Sequence, residues 1–232
     1  MARFTSAYSG YIARLDEVES LRLGASYLEK EAPIANKDKI NALCRGGLVL
    51  LSSHLEAYIK ELGEILVIRF SEKQIDRSKI DKRVFYHISK DRLDNLLVTS
   101  NPVNIADAVF EFLDSDYEYW SSNGPFPKYI QTERFNKGFS NPTFKKIKRY
   151  FNRFGFEEYS RNLGRKLKAD YMPYVNMVDH LVDIRNKIAH GDPSATKTPQ
   201  EVHDIVTIIT DFCRATDSVF GLWCKENYCS IR

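Results

Sequence analysis

A chain of 232 residues with 43% hydrophobic content can bury a substantial core, as one large domain or as one domain with an insert. Eleven Gly and eight Pro exclude a loop-rich or disordered protein. The formal charge of +3 decides little, but residues 128–170 hold twelve Lys/Arg against four Asp/Glu, a local net of +8 that leaves −5 elsewhere.

Ser6 to Ala32 reads as an amphipathic helix with Tyr8, Ile12, Leu15, Val18, Leu21, Ala25 and Leu28 on one side, and Pro33 breaks it. Asn36 is placed to cap a long second helix running to about Phe70, with Ile40, Leu43, Gly47, Leu51, Leu55, Tyr58, Leu62 and Ile65 inward. Gly46-Gly47 in mid-helix lowers propensity and points to the close approach of another helix. His54 falls inside the apolar arc, as a core histidine would. Glu56 faces the polar side, where a solvated carboxylate is the plain reading.

Residues 71–92 are charged and poorly periodic. Asp91–Val98 and Asn104–Leu113 each predict a short helix, and Asp114–Pro127 an acidic, aromatic loop. Residues 71–138 as a whole are expected to be an insertion between core helices. Asn141-Pro142 opens a further helix in which Lys145, Lys146, Lys148, Arg149 and Arg153 alternate with Phe144, Ile147, Tyr150, Phe151 and Phe154. Spacing of three and four makes the aromatics a core face. The basic back is a candidate for tracking phosphates.

From about Tyr174 an apolar-periodic helix runs to a stop at Gly191, with Pro193 beyond it. Tyr174, Met177, Val178, Leu181, Val182, Ile184, Ile188 and Ala189 fill its apolar arc, and Arg185 falls inside it. Asn186 and His190, four apart, share the border with Asp179 and Asp183. A guanidinium aimed into an apolar face needs a carboxylate, carbonyls or an anion to meet it. His190 stands at the carbonyl end of the helix, where the dipole favours a protonated ring. A fixed cation beside a titratable imidazole can cleave phosphate esters; the same residues also fit a satisfied buried arginine and a capping histidine. Thr198-Pro199-Gln200-Glu201 has the form of a capping box, and the helix it starts turns Val202, Ile205, Ile209, Phe212, Thr216, Val219 and Trp223 inward.

Arg185-Asn186-Lys187-Ile188-Ala189-His190-Gly191 resembles the signature of the HEPN superfamily, an Arg, often followed by a polar residue, with a His four to six residues on. The helix holding Gly47 to Ile59 resembles the superfamily's earlier core helix, which often carries an acid at a position such as Glu56. With Asn141-Pro142 and the basic helix after it, the order is most similar to the RiboL-PSP-HEPN-like subgroup. The resemblance implies an all-α bundle of about four core helices. It also implies an endoribonuclease that needs no metal or other cofactor, works as a homodimer, and often serves as a toxin or antiviral-defence effector with an antitoxin or defence-system partner. Other members only bind RNA or nucleotide, or only dimerise. Some HEPN toxins carry, two residues after the His, a Tyr that a partner enzyme modifies; here that residue is Asp192.

The site expected on these grounds is Arg185, Asn186 and His190, with Glu56 carried over from the resemblance. Lys145, Lys146, Lys148, Arg149 and Arg153 are the expected RNA contacts. Cys44, Cys213, Cys224 and Cys229 have neither C-x-x-C nor zinc spacing, so a reducing compartment is expected. No apolar signal core follows Met1-Ala2-Arg3-Phe4, and no apolar run approaches a membrane span. A cytoplasmic protein without membrane contact is the expectation.

Overall fold

The computed structural model describes residues 4–98, 100–121, 123–126 and 131–232; the expectations touching Met1 to Arg3, Ser122, Pro127 and Lys128 lie outside the described residues. Four long helices form the bundle: α1 (Ser6–Glu31), α2 (Lys37–Glu72), α8 (Tyr171–Ala189) and α9 (Pro199–Asn227). Between α2 and α8 come α3 (Lys82–Val98), α4 (Pro102–Trp120), α5 (Thr132–Asn136), α6 (Phe144–Asn152) and α7 (Tyr159–Leu167). Among the described residues there is no strand, only an isolated bridge between Asp76 and Pro125. The protein is all-α.

α2 is the axis. Its 36 residues span about 54 Å at 1.5 Å each, and it packs against α1, α8, α9 and α5. Leu48, Leu51, Leu55, Tyr58, Leu62 and Leu66 are completely buried along it. Each such side chain stabilises the fold by about 1.5–3 kcal/mol relative to exposure. The Tyr58 hydroxyl donates to the Cys213 carbonyl at 2.8 Å, fixing α2 on α9. Gly46 and Gly47 do face α1: a Cβ there would stand 3.5 Å from Leu21 and 3.7 Å from Val18. The tighter approach is at Gly63, where a Cβ would meet the Tyr150 hydroxyl at 2.2 Å. His54 is a buried residue with its Nε2 3.6 Å from the Glu17 carboxylate, and burial pushes its pKa down.

Several expectations are corrected. Ile12 turns outward, because Tyr11 and not Ile12 lies on the buried side of α1. Asn36 stands at the start of α2 but does not cap it; its Nδ2 donates instead to the Leu28 carbonyl at 3.2 Å, closing the α1–α2 corner. Ala189 is exposed at the end of α8. The stretch from Asp114 to Trp120 is not a loop but the last two turns of α4. Tertiary contacts hold it helical: Asp116 is fully buried and paired to Arg92 at 2.6 Å and Arg134 at 3.2 Å, and the Trp120 indole N–H donates to Ser89 at 3.0 Å. The short helix expected at 91–98 is the second half of α3, and the one expected at 104–113 lies inside α4.

The start of α1 is fastened to α9. Thr5 caps α1 through its hydroxyl, which also bonds to the Asp217 carboxylate of α9. The Thr5 backbone N–H donates to the same carboxylate at 3.3 Å. Burial raises the pKa of Asp217. At the start of α9 the capping box is complete, with the Thr198 hydroxyl accepting from Glu201 N–H at 3.2 Å and Glu201 accepting from Thr198 N–H at 2.8 Å. Three of the four cysteines are buried, and burial pushes the Cys44 thiol up to about 11.

Candidate active site on α8

α8 ends as its sequence dictates. Gly191 takes a positive φ of 77°, its N–H donates to the Ile188 carbonyl, and the Asp192 N–H reaches back to Lys187, both at 3.0 Å. This double closure is a Schellman turn. Arg45 of α2 locks it from outside by donating to the Asp192 carbonyl at 2.8 Å. The Asp192 side chain accepts from the Ser194 hydroxyl and backbone N–H, which lower its pKa.

Arg185 is half-buried on the face this turn terminates, and Asn186 beside it is too. One Arg185 Nη1 donates to Asn186 Oδ1 at 3.4 Å, a long hydrogen bond. No carboxylate pairs with Arg185 among the described residues. A guanidinium has five N–H donors in a planar fork, so most of its capacity is left for an oxyanion. His190 is exposed, follows Asn186 by one turn, and donates its backbone N–H to the Asn186 carbonyl at 3.0 Å. Its imidazole has no protein hydrogen bond among the described residues and is free to meet a ligand. Asp179, Asp183, Asn186 and His190 recur at helical spacing, so they mark one stripe of α8.

Glu56 is not brought onto Arg185. Its carboxylate pairs with Lys60 at 2.6 Å and accepts the Asn141 backbone N–H at 2.9 Å. Asn141 has a φ of 50°, a left-handed conformation that Asn tolerates better than most residues. Glu56 thus fixes the turn that launches α6. Thr143 caps that helix, and the Phe144 N–H donates to Asp179 of α8 at 2.7 Å. α2, α6 and α8 therefore share one side of the bundle, tied together by Glu56, Asp179 and Arg45.

On α6 the aromatics are core: Phe144, Tyr150, Phe151 and Phe154 are buried, as is Ile147. Lys145, Lys148 and Arg149 are exposed, and Lys146 is half-exposed with its Nζ on the Ser140 carbonyl at 2.7 Å. Arg153 differs from them. Its guanidinium donates to the Phe135 and Lys137 carbonyls and lies 5.2 Å from the Tyr150 ring centroid. Burial lowers its pKa. It joins α5 to α6 and is not among the cations offered to solvent.

Sequence reasoning missed Arg45 and the capping role of Asp179. A signal for Arg45 exists: it lies eleven residues before Glu56, so the two fall on one line of α2. Among the described residues no group of three His, Cys, Asp or Glu is arranged to hold a metal ion, and no helix is long and apolar enough to cross a membrane.

A helical bundle presenting an Arg, Asn and His on the last turns of one core helix defines the class of HEPN domains. The family model described as RiboL-PSP-HEPN matches residues 10–221, and the chain belongs to that family. Searches of curated proteins and of solved structures gave no match. Membership points to an RNase or a nucleotide-binding module, in a family that binds RNA and often dimerises.

Proposed function

We propose that the protein is an endoribonuclease that cleaves RNA through the ribose 2′-OH, with Arg185, Asn186 and His190 as its reacting set and no metal required. The observation that carries this is Arg185: a half-buried guanidinium with no carboxylate partner among the described residues, one turn from an open imidazole on the same helix. A base takes the 2′ proton as the 2′ oxygen attacks phosphorus, and the bond to the 5′ oxygen breaks as an acid protonates it. The products are a 2′,3′-cyclic phosphate and a 5′-hydroxyl. Charge that builds on the phosphorus oxygens in between is met by Arg185. His190 moves the proton, and Asn186 orients the guanidinium or the phosphate.

One imidazole cannot be acid and base in the same step. A two-fold dimer that faces two α8 ends supplies the second, and the openness of His190 on the single chain supports this. Glu56 acts on this site by positioning the Asn141-Pro142 turn. Lys145, Lys146, Lys148 and Arg149 lie on a helix joined to α8 and would draw in the phosphate backbone. A toxin or antiviral-defence role with a neutralising or activating partner protein, in the cytoplasm, is the setting the family resemblance supports.

The test is single-stranded RNA incubated with the protein in EDTA, beside DNA of the same sequence and RNA carrying 2′-O-methyl groups. Only the unmodified RNA should be cut, leaving cyclic phosphate and 5′-hydroxyl ends. Cutting of DNA, or activity that appears only with added divalent metal, rejects the mechanism. If RNA is bound and never cut, the domain is a binding module.

A further inference from the structure

Two adjoining clefts lie between α7 and α9, of about 380 and 450 Å³, and share Lys166 and Ser218. The first gathers cations from three separate parts of the chain, Lys166, Arg214 and Arg232, around the Ser218 hydroxyl. The two arginines are oriented by the protein. Arg214 donates to Asp211 at 2.7 Å, while Arg232 donates to the Asp217 carbonyl at 3.2 Å and lies 3.8 Å from its carboxylate. Each keeps further N–H groups to offer. Lys166 and its neighbour Arg165 are exposed and have no hydrogen-bond or ion-pair partner among the described residues. Basic residues in the last turn of α7 also suit that helix's carbonyl end. That accounts for Arg165 and Lys166, but not for Arg214 and Arg232 sharing a cleft with Lys166 from α9 and beyond.

The second cleft is lined by Arg165, Lys166 and Glu226 and also by Leu222 and Trp223. Leu222 and Trp223 form an apolar wall, and the indole is held by stacking on Phe156, 4.6 Å away at 12°. A cationic half beside an aromatic half matches the two ends of a nucleotide.

We propose that this cleft is a second ligand site, taking one nucleoside phosphate: phosphate among Lys166, Arg214 and Arg232, base against Trp223 and Leu222. The unit is either a free nucleotide or one residue of an RNA strand. The site is separate from the α8 pair. Asp211, in the cleft wall, accepts from Tyr174 near the start of α8 at 3.3 Å. The sixteen residues from Tyr174 to His190 put about 24 Å between them. Strand bound here would be held well away from where it is cut.

The experiment is calorimetric titration of the full chain carrying His190→Ala, so that nothing is hydrolysed, with ADP, inorganic phosphate and a 12-nucleotide single-stranded RNA. Lys166→Glu is compared with Lys39→Glu, an equal charge change at an exposed site on α2, and both are checked by thermal melting. Lys166→Glu should weaken ADP by about tenfold or more, the loss of a charged hydrogen bond, and Lys39→Glu should leave it unchanged. Inorganic phosphate should compete less well than ADP, since it lacks the base. If RNA affinity falls with that of ADP and the two compete, the natural occupant is a strand; if RNA is unaffected, it is a free nucleotide. Absence of ADP binding at millimolar concentration, equal weakening by Lys39→Glu, or equal competition by phosphate overturns the proposal. None of these outcomes depends on whether Arg185 and His190 cut RNA.

Discussion

Asp179 and Phe144 are joined by a 2.7 Å hydrogen bond in which the Phe144 backbone N–H donates to the carboxylate. The helix that ends in His190 therefore also starts the basic helix. The bond stabilises an otherwise unpaired N–H at a helix start, and its acceptor is charged. Asp179→Ala should cost about 1.5–3 kcal/mol of stability, and Asp179→Asn less. Urea denaturation measures the loss. RNA binding by the loosened α6 should weaken in parallel, whereas Lys148→Ala should weaken binding without touching stability.

Because Arg185 has no carboxylate partner among the described residues, its removal strands no buried charge there. Arg185→Ala should lower stability by less than the roughly 3–5 kcal/mol of a broken buried ion pair. Arg185→Lys should fold normally and still lose most cleavage, since an ammonium lacks the planar fork. His190→Ala should melt like the wild type and lose cleavage by about 10²–10⁴-fold. A His190→Ala protein that cuts at the wild-type rate removes the imidazole from the mechanism.

The need for a second imidazole predicts a mass of two chains by light scattering at micromolar concentration. Mixing Arg185→Ala with His190→Ala chains then gives heterodimers whose activity reports whether the two sites cooperate. Full activity in a preparation that remains monomeric refutes the dimeric arrangement.

Gly63 has no room for a side chain, because a Cβ would stand 2.2 Å from the Tyr150 hydroxyl and 2.8 Å from its ring. Tyr150 cannot easily yield, since its hydroxyl donates to Asn136 Oδ1 at 2.5 Å and also lies 3.2 Å from the Lys60 carbonyl. Gly63→Ala should destabilise by about 1–3 kcal/mol through overpacking. Combining it with Tyr150→Phe should recover only part, because the ring carbons remain in the way. Thermal melts of the single and double variants decide this.

Burial pushes His87 down to about 4, with Arg153 and Lys90 adding repulsion. A histidine whose folded pKa lies below its unfolded value near 6.5 contributes its full stability above that pH. The contribution is lost as pH falls from about 6.5 towards 4, because only the unfolded chain gains the proton. With partial solvent screening the loss should be roughly 1–2 kcal/mol. Melting of His87→Phe across that window should be flatter than that of the wild type.

The long helices were legible because apolar positions recur over 19 to 36 residues, far beyond chance, and their ends carry chemical stops such as Thr198 and Gly191. α7 was not anticipated, and α8 starts at Tyr171, one turn earlier than periodicity suggested. α7 is short, and only two of its nine residues, Tyr159 and Leu163, are buried to mark an inward face. The helicity of Asp114 to Trp120 could not be read either, because it depends on Arg92 and Arg134 reaching Asp116 from elsewhere. At the candidate site the spacing of Arg185, Asn186 and His190 already placed them together. What spacing could not say is which helix approaches: Arg45 on the α8 turn, Asp179 on α6, and Arg153 folded over Tyr150 are all tertiary facts.

The clasp between Thr5 and Asp217 has a consequence for synthesis. α1 and α2 are neighbours in sequence and can pair as soon as both have left the ribosome, with only a short corner to close. Of the four bundle helices, α8 with Arg185 and His190 is made third and its partner α9 fourth, so the helix that completes this bundle is also the one that fastens back onto the first. A nascent chain of this protein thus carries Arg185 and His190 on a helix that lacks its partner until α9 has been made.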